Sequence, residues 1–272
     1  MAIITFWSNG KEETAKTLSI AAIATYMAIE HNLKILLLST NYNDSTLETC
    51  YWKQAENINH RNTLGVGNGI EELARAIMSN KASPEVITNY TKIVLKNHLE
   101  VLPSIKTNDY QEYEKLREVY LSILQHANKY YDMIFVDLNK GLDSENTREI
   151  LEESDLVIVN LVQRLKIIDD YITLKEQYPL FKKDNTLLLF GRFDKFSKYS
   201  KKNICRYMGT KMVYTIPYST LFFEAANEGE VPDFFFKFRK IDENDRNALF
   251  IHEVKNVSEK IVDKLQELQM KR

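Results

Sequence analysis

The residues best suited to chemistry in this chain lie in one short segment. After an apolar run, Ile3 to Trp7, comes Ser8-Asn9-Gly10-Lys11-Glu12-Glu13-Thr14-Ala15-Lys16-Thr17, and then a long helical pattern from Leu18. A lysine and a hydroxyl at the mouth of a helix suit a polyphosphate. Backbone N–H groups and the helix terminus bind its oxygens, the lysine reaches the outer phosphates, and the hydroxyl holds Mg²⁺. The spacing Gly10-x-x-x-x-Ala15-Lys16-Thr17 matches G-x-x-x-x-G-K-[ST] with one glycine missing. Taken alone, the segment reads as a phosphate loop or as an ordinary strand-to-helix turn.

The other reactive residues are scattered. Cys50 and Cys205 have no CxxC partner and no His-rich neighbourhood, so neither a disulfide framework nor a zinc site is expected, only two reduced thiols in a cytoplasmic protein. With formal charge −2, the chain as a whole carries no pull toward nucleic acid or anionic lipid. Two local basic clusters stand out against that balance. They are Lys195, Lys198, Lys201, Lys202 and Arg206, then Lys237, Arg239 and Lys240, interleaved with Phe196, Tyr199, Phe236 and Phe238. Such clusters suit phosphate backbones but also arise on any solvated helix face.

A parallel sheet would position these groups. Apolar runs at Ile3–Trp7, Ile35–Leu38, His98–Leu102, Met133–Val136, Leu156–Leu161, Leu187–Phe190 and Val213–Ile216 read as strands. Helical periodicity marks Thr17–Ile29, Gly69–Met78, Tyr110–Lys129, Ser144–Glu152 and Ile167–Tyr178. The alternation predicts an α/β fold, a doubly wound, mostly parallel sheet with helices on both faces. At 272 residues and 44% hydrophobic, one domain spanning 1–272 is expected, with 240–272 forming a C-terminal helix packed on it. Gly65, Gly67 and Gly69 mark Asn62–Gly69 as a loop. Met1–Phe6 lacks a basic leader pattern, and no apolar stretch approaches the roughly 20 residues of a membrane helix.

Five segments resemble the ParA/MinD/CpaE-like ATPases. Lys11 to Thr17 is similar to their deviant Walker A loop, K-G-G-x-G-K-T. Tyr131-Asp132-Met133-Ile134-Phe135-Val136-Asp137 looks like the Walker B strand. Asn97-His98-Leu99-Glu100-Val101-Leu102-Pro103 and Ser154-Asp155-Leu156-Val157-Ile158-Val159 resemble two further family strands. Thr215-Ile216-Pro217-Tyr218, followed by Phe223 to Pro232, is close to the C-terminal signature. The resemblance covers Met1 to about Phe236 and implies a P-loop NTPase fold. It also implies ATP with Mg²⁺ as cofactors and a homodimer that recruits a protein partner or cargo machinery. It gives Lys11 and Lys16 the catalytic role, with Lys11 reaching the partner's nucleotide. Gly10, Glu13, Thr14, Ala15, Lys16, Thr17 and Leu18 would hold phosphates, Thr17 and Asp137 the metal, and Ile216, Pro217 and Tyr218 would back the base.

The departures fall at the chemical positions. Glu12, Glu13 and Ala15 replace the loop's glycines, and Ala in a left-handed conformation costs on the order of 1 kcal/mol or more. The family's Asp-x-Asp after the second strand is Ser39-Thr40-Asn41 here, and an amide cannot act as a base. Asp44 lies three residues on, as a partial substitute or simply a surface acid. The family's adenine-reading Asn is Gly191, followed by Arg192, whose guanidinium is able to stack on a base. The expectation is a positioning or assembly factor with slow or absent hydrolysis. The alternative is a DNA-partitioning ATPase that binds DNA non-specifically through the basic clusters.

Overall fold

The structure is a computed structural model that describes residues 1–10, 13–53, 69–78, 83–105 and 109–271. Lys11, Glu12 and the loop stretch 62–68 lie outside the described residues. Eight strands form one sheet: β1 (Ala2–Trp7), β2 (Ile35–Ser39), β3 (Lys92–Leu95), β4 (Leu99–Leu102), β5 (Met133–Asp137), β6 (Leu156–Leu161), β7 (Thr186–Phe193) and β8 (Tyr214–Pro217). Their order is β3-β4-β2-β5-β1-β6-β7-β8, and every pairing except β3 with β4 is parallel. This is the α/β, mostly parallel sheet that the alternation of patterns predicts.

The helices are α1 (Lys16–Glu30), α2 (Thr46–Thr49), α3 (Gly69–Met78), α4 (Tyr110–Arg117), α5 (Tyr120–Ala127), α6 (Glu145–Glu153), α7 (Leu165–Gln177), α8 (Lys201–Met208), α9 (Thr220–Glu228), α10 (Val231–Lys237) and α11 (Ala248–Met270). Period-2 alternation along each strand sends side chains into two cores. Ile4 and Phe6 of β1 face α1, α9, α10 and α11, while Ile3 and Trp7 face α5, α6 and α7. Central strands covered on both faces carry near-continuous apolar runs, which is why β1, β5 and β6 stand out in the sequence.

Two details depart from the sequence reading. Tyr110–Lys129 is not one helix but α4 and α5, with residues 118–119 between them. The two parts have different jobs. Tyr113 donates a hydrogen bond to the Thr40 carbonyl (2.6 Å) and Tyr120 to the Ser39 carbonyl (3.1 Å), so both tyrosines tie this region to the end of β2. Strand β3 escapes the pattern because its residues are only partly covered, with Ile93 61% exposed on the sheet edge.

Helix α11 lies along α1 and β8, burying Phe250, Val254, Val257, Ile261 and Leu265. Its polar side is joined to β8 and α8 through Glu253, which accepts from Thr215 Oγ1 (2.8 Å) and Lys201 Nζ (2.8 Å). Ile261→Ala, at a fully buried position, should lower the unfolding free energy by about 2–5 kcal/mol in urea denaturation. Met270→Ala, at an exposed one, should leave it unchanged.

Candidate functional site

The parallel strands all end at one edge of the sheet, and β1, β2 and β5 bring Asp137 there: it is in register with Phe6 on one side and Ser39 on the other. Helix α1 starts directly above it. Thr17 Oγ1 donates to Asp137 Oδ2 at 2.6 Å, and Lys16 Nζ lies 2.8 Å from Asp137 Oδ1 and donates to the Leu138 carbonyl. The lysine and the aspartate side chains are 4% and 1% exposed. At that depth an unpaired ion would cost several kcal/mol, so each charge depends on the other.

The loop that delivers Lys16 has an unusual backbone. Ala15 caps α1 at φ 55 and ψ 31, in the left-handed region, and its carbonyl accepts the first helical bond from Ser19 N–H (2.9 Å). The glycine missing from the motif is therefore missing where its freedom matters, and the alanine carries the strain. Gly10 remains, at φ 88, where a Cβ would stand 2.9 Å from the Lys140 Cβ. Opposite this turn, Gly141 N–H donates to the Ser8 carbonyl (3.2 Å), and the Gly141 carbonyl accepts from Trp7 Nε1 (2.8 Å).

On the other side the loop rests on β7. A Cβ on Gly191 would lie 2.2 Å from the Thr14 carbonyl oxygen, so no larger residue fits while the loop stays in place. Arg192 follows at φ 50, and its Nη2 meets Glu13 Oε2 at 3.1 Å. The β7–β8 register breaks here, between Phe190 and Phe193. Beside it lies a cavity of about 30 Å³, lined by Ala15, Leu18, Ser19, Arg192, Ile216, Pro217, Tyr218, Phe222 and Phe223 among others. The structure thus brings Gly10, Thr14, Ala15, Lys16, Thr17 and Asp137 together at one edge, with Leu18, Arg192, Ile216, Pro217 and Tyr218 beside them. Lys11 lies outside the described residues.

The residue two positions past the end of β2 is an amide, not an acid. Asn41 is buried, with both its backbone N–H (3.3 Å) and its side-chain Nδ2 (2.9 Å) donating to Ser39 Oγ. Asp44 Oδ1 accepts from Thr46 N–H (2.8 Å) and Oγ1, a local turn contact. The sequence reading misses Glu48, which is 4% exposed and accepts from Ser104 N–H (2.9 Å) and Oγ (2.8 Å) through Oε1. Nothing in its Thr-Leu-Glu-Thr context signals burial, because the partner comes from 56 residues away. Gly191 looks in the sequence like a lost contact, and its packing role depends on a tertiary approach that no local pattern shows.

Among the described residues no three His, Cys, Asp or Glu side chains group to hold a metal. The oxygens of Thr17 and Asp137 fit the other arrangement, a Mg²⁺ that takes one or two protein oxygens and the rest from phosphates and water. Cys50 takes no part: burial first, then the negative charges of Asp137, Glu48 and Asp44, push its thiol up to about 12.

No family model and no curated protein matches this chain. Solved structures do. It is similar over 92% of its length to 96% of a ParA family ATPase from Chlorobium tepidum, with TM-score 0.67 and 14% identity. It is similar over 97% to 98% of the septum site-determining protein MinD of Pyrococcus horikoshii, complexed with Mg-ADP, with TM-score 0.64 and 18% identity. A chain of the MinC:MinD cell division protein complex of Aquifex aeolicus gives TM-score 0.64 at 16% identity, covering 97% of this chain and 96% of that one. The shared feature is the fold.

Two substitutions and one labelling experiment test the geometry. Ala15→Gly should stabilise the protein by about 1 kcal/mol in thermal or urea unfolding, because it removes left-handed strain. Gly191→Ala should destabilise it, since the loop has to move away from the Thr14 contact. Cys50 should resist iodoacetamide at neutral pH until the chain is unfolded, because its raised pKa keeps it a buried thiol rather than a thiolate.

Proposed function

We propose that this chain, which has the ParA/MinD ATPase fold, is a nucleotide-binding protein that acts as a dimeric positioning or assembly factor in the cytoplasm, with weak or no ATP hydrolysis. The observation that carries this reading is the convergence of Lys16, Thr17 and Asp137 at the sheet edge. In this reading Lys16 exchanges its aspartate and carbonyl partners for phosphate oxygens, and the free N–H groups of the first turn of α1 bind the same anion. Thr17 and Asp137 hold a Mg²⁺ ion, which when bound neutralises polyphosphate charge. Leu18, Ile216, Pro217 and Tyr218 back the base, and Arg192 stands at its rim. Lys11 serves across the dimer, as the resemblance implies.

Slow turnover follows from what surrounds these groups. Most of the rate in phosphoryl transfer comes from positioning and charge stabilisation. Here Asn41 has no carboxylate to orient water, its amide is committed to Ser39, and the loop carries acids where glycines would let a phosphate approach the backbone closely. ATP with Mg²⁺ should bind to purified protein, shift it from monomer to dimer in small-angle scattering, and be lost from Lys16→Ala. ATPase activity at rates typical of these enzymes and abolished by Lys16→Ala would contradict the slow-hydrolysis part alone.

One observation favours a second reading, non-specific DNA binding. Lys195, Lys198, Lys202 and Arg206 are exposed on α8 and the loop before it, next to Phe196 at 85% exposure. The clusters are thinner than the sequence suggests, because Lys201 is bridged to Glu253 and Arg239 to Glu30 (2.8 Å). If this surface meets DNA, gel-shift affinity should fall steeply with added salt and weaken in a Lys198→Ala/Lys202→Ala variant. No shift at low ionic strength would remove this reading.

A further inference from the structure

A phosphate loop with a carboxylate in it should repel the ligand it exists to hold. Glu13 lies three residues before Lys16, on the stretch that crosses β7. Its charge nevertheless has a dedicated partner. Gly191 lets the Thr14 carbonyl settle directly on the strand, which fixes the loop at the point where β7 ends. Arg192, the next residue, adopts φ 50, and its guanidinium reaches Glu13 at 3.1 Å. A non-glycine residue in the left-handed region is held there by its surroundings against an energetic cost. Arg192 also lines the small cavity with Ala15, Leu18 and Pro217, so the same cation adjoins both the loop and the base side of the site.

We propose that Arg192 is a positioning residue for nucleotide binding: it acts as the built-in counter-ion of Glu13 and makes an acidic, glycine-poor loop tolerable to a polyphosphate. This rests on the nucleotide-binding reading above. The pair is exposed, at 42% and 79%, so it contributes little to folding stability. Its effect falls on the ligand. With Arg192 in place Glu13 presents a neutral pair to the incoming anion; without it the carboxylate stands unscreened beside several negative oxygens. The effect is electrostatic and therefore sensitive to ionic strength. It is also conditional, since Arg192 matters only while Glu13 is present.

The test is a double-mutant cycle read by calorimetric titration of ATP with Mg²⁺ at low salt. Arg192→Ala should weaken binding by about tenfold, a loss that shrinks as sodium chloride is added. Arg192→Lys, which keeps the charge, should retain most of the affinity. Glu13→Ala combined with Arg192→Ala should return affinity to within about threefold of the parent protein, because the carboxylate that Arg192 neutralises is gone with it. If the double variant is as weak as Arg192→Ala, the arginine contacts the ligand itself and the counter-ion role is overturned. It is equally overturned if Arg192→Ala binds as the parent does. If the parent protein binds no ATP and is indistinguishable from Lys16→Ala, the nucleotide-binding reading itself fails, and this inference with it.

Discussion

The contact between Lys16 and Asp137 is the constraint around which the rest of the sheet edge is arranged. Two opposite charges, each almost fully buried, sit at the end of the central strands. A lone charge at that depth would be costly, so the elements carrying them are required to meet within about an ångström of the right place. Strand β5 brings the carboxylate, and the turn through Ala15 brings the ammonium group. The β1–β5 register, with Phe6 opposite Asp137, fixes the distance between them. Thr17 donates to the second carboxylate oxygen, and the Leu138 carbonyl accepts a hydrogen bond from the lysine. The left-handed alanine is tolerated because giving it up would pull a buried lysine off its partner.

Around this centre the loop is supported from two directions by residues without side chains. Gly10 turns beneath Lys140, and Gly191 lies under the Thr14 carbonyl. A loop that has lost its internal glycines thus depends on glycines outside its central stretch, one at its start and one on a strand far away in sequence. Backbone freedom has been exchanged for room to approach. This explains how the chain keeps a phosphate-loop course although Glu13 and Ala15 stand where the motif has flexible residues.

Much of this architecture is legible in the sequence because central strands announce themselves. Ile3–Trp7, Met133–Asp137 and Leu156–Leu161 are apolar on both faces, and so short a run of that kind belongs in the middle of a sheet covered from both sides. Lys16, Thr17 and Asp137 are legible for a related reason: Asp137 is the last residue of such a strand, and Lys16 and Thr17 open the helix reached by the loop after another. What stays hidden depends on distant partners. The β3 edge strand is half-solvated and carries no clean alternation. Glu48 is buried only because Ser104 comes to meet it, and Gly191 looks like a missing recognition group until the loop packed against it is seen. The break between α4 and α5 also leaves no mark, since no Gly or Pro interrupts the helical pattern there.

The packing of Thr14 on Gly191 also ties what β7 is able to carry to the course of the loop. A side chain at 191 collides with the loop as long as residue 14 sits where it does, and residue 14 sits there because Ala15 holds the left-handed turn that seats Lys16. A strand-end amide cannot be acquired there in a single step without displacing the loop. Any side chain at 191 requires residues 13–15 to take another path, so what stands on β7 and what course the loop follows are one choice rather than two.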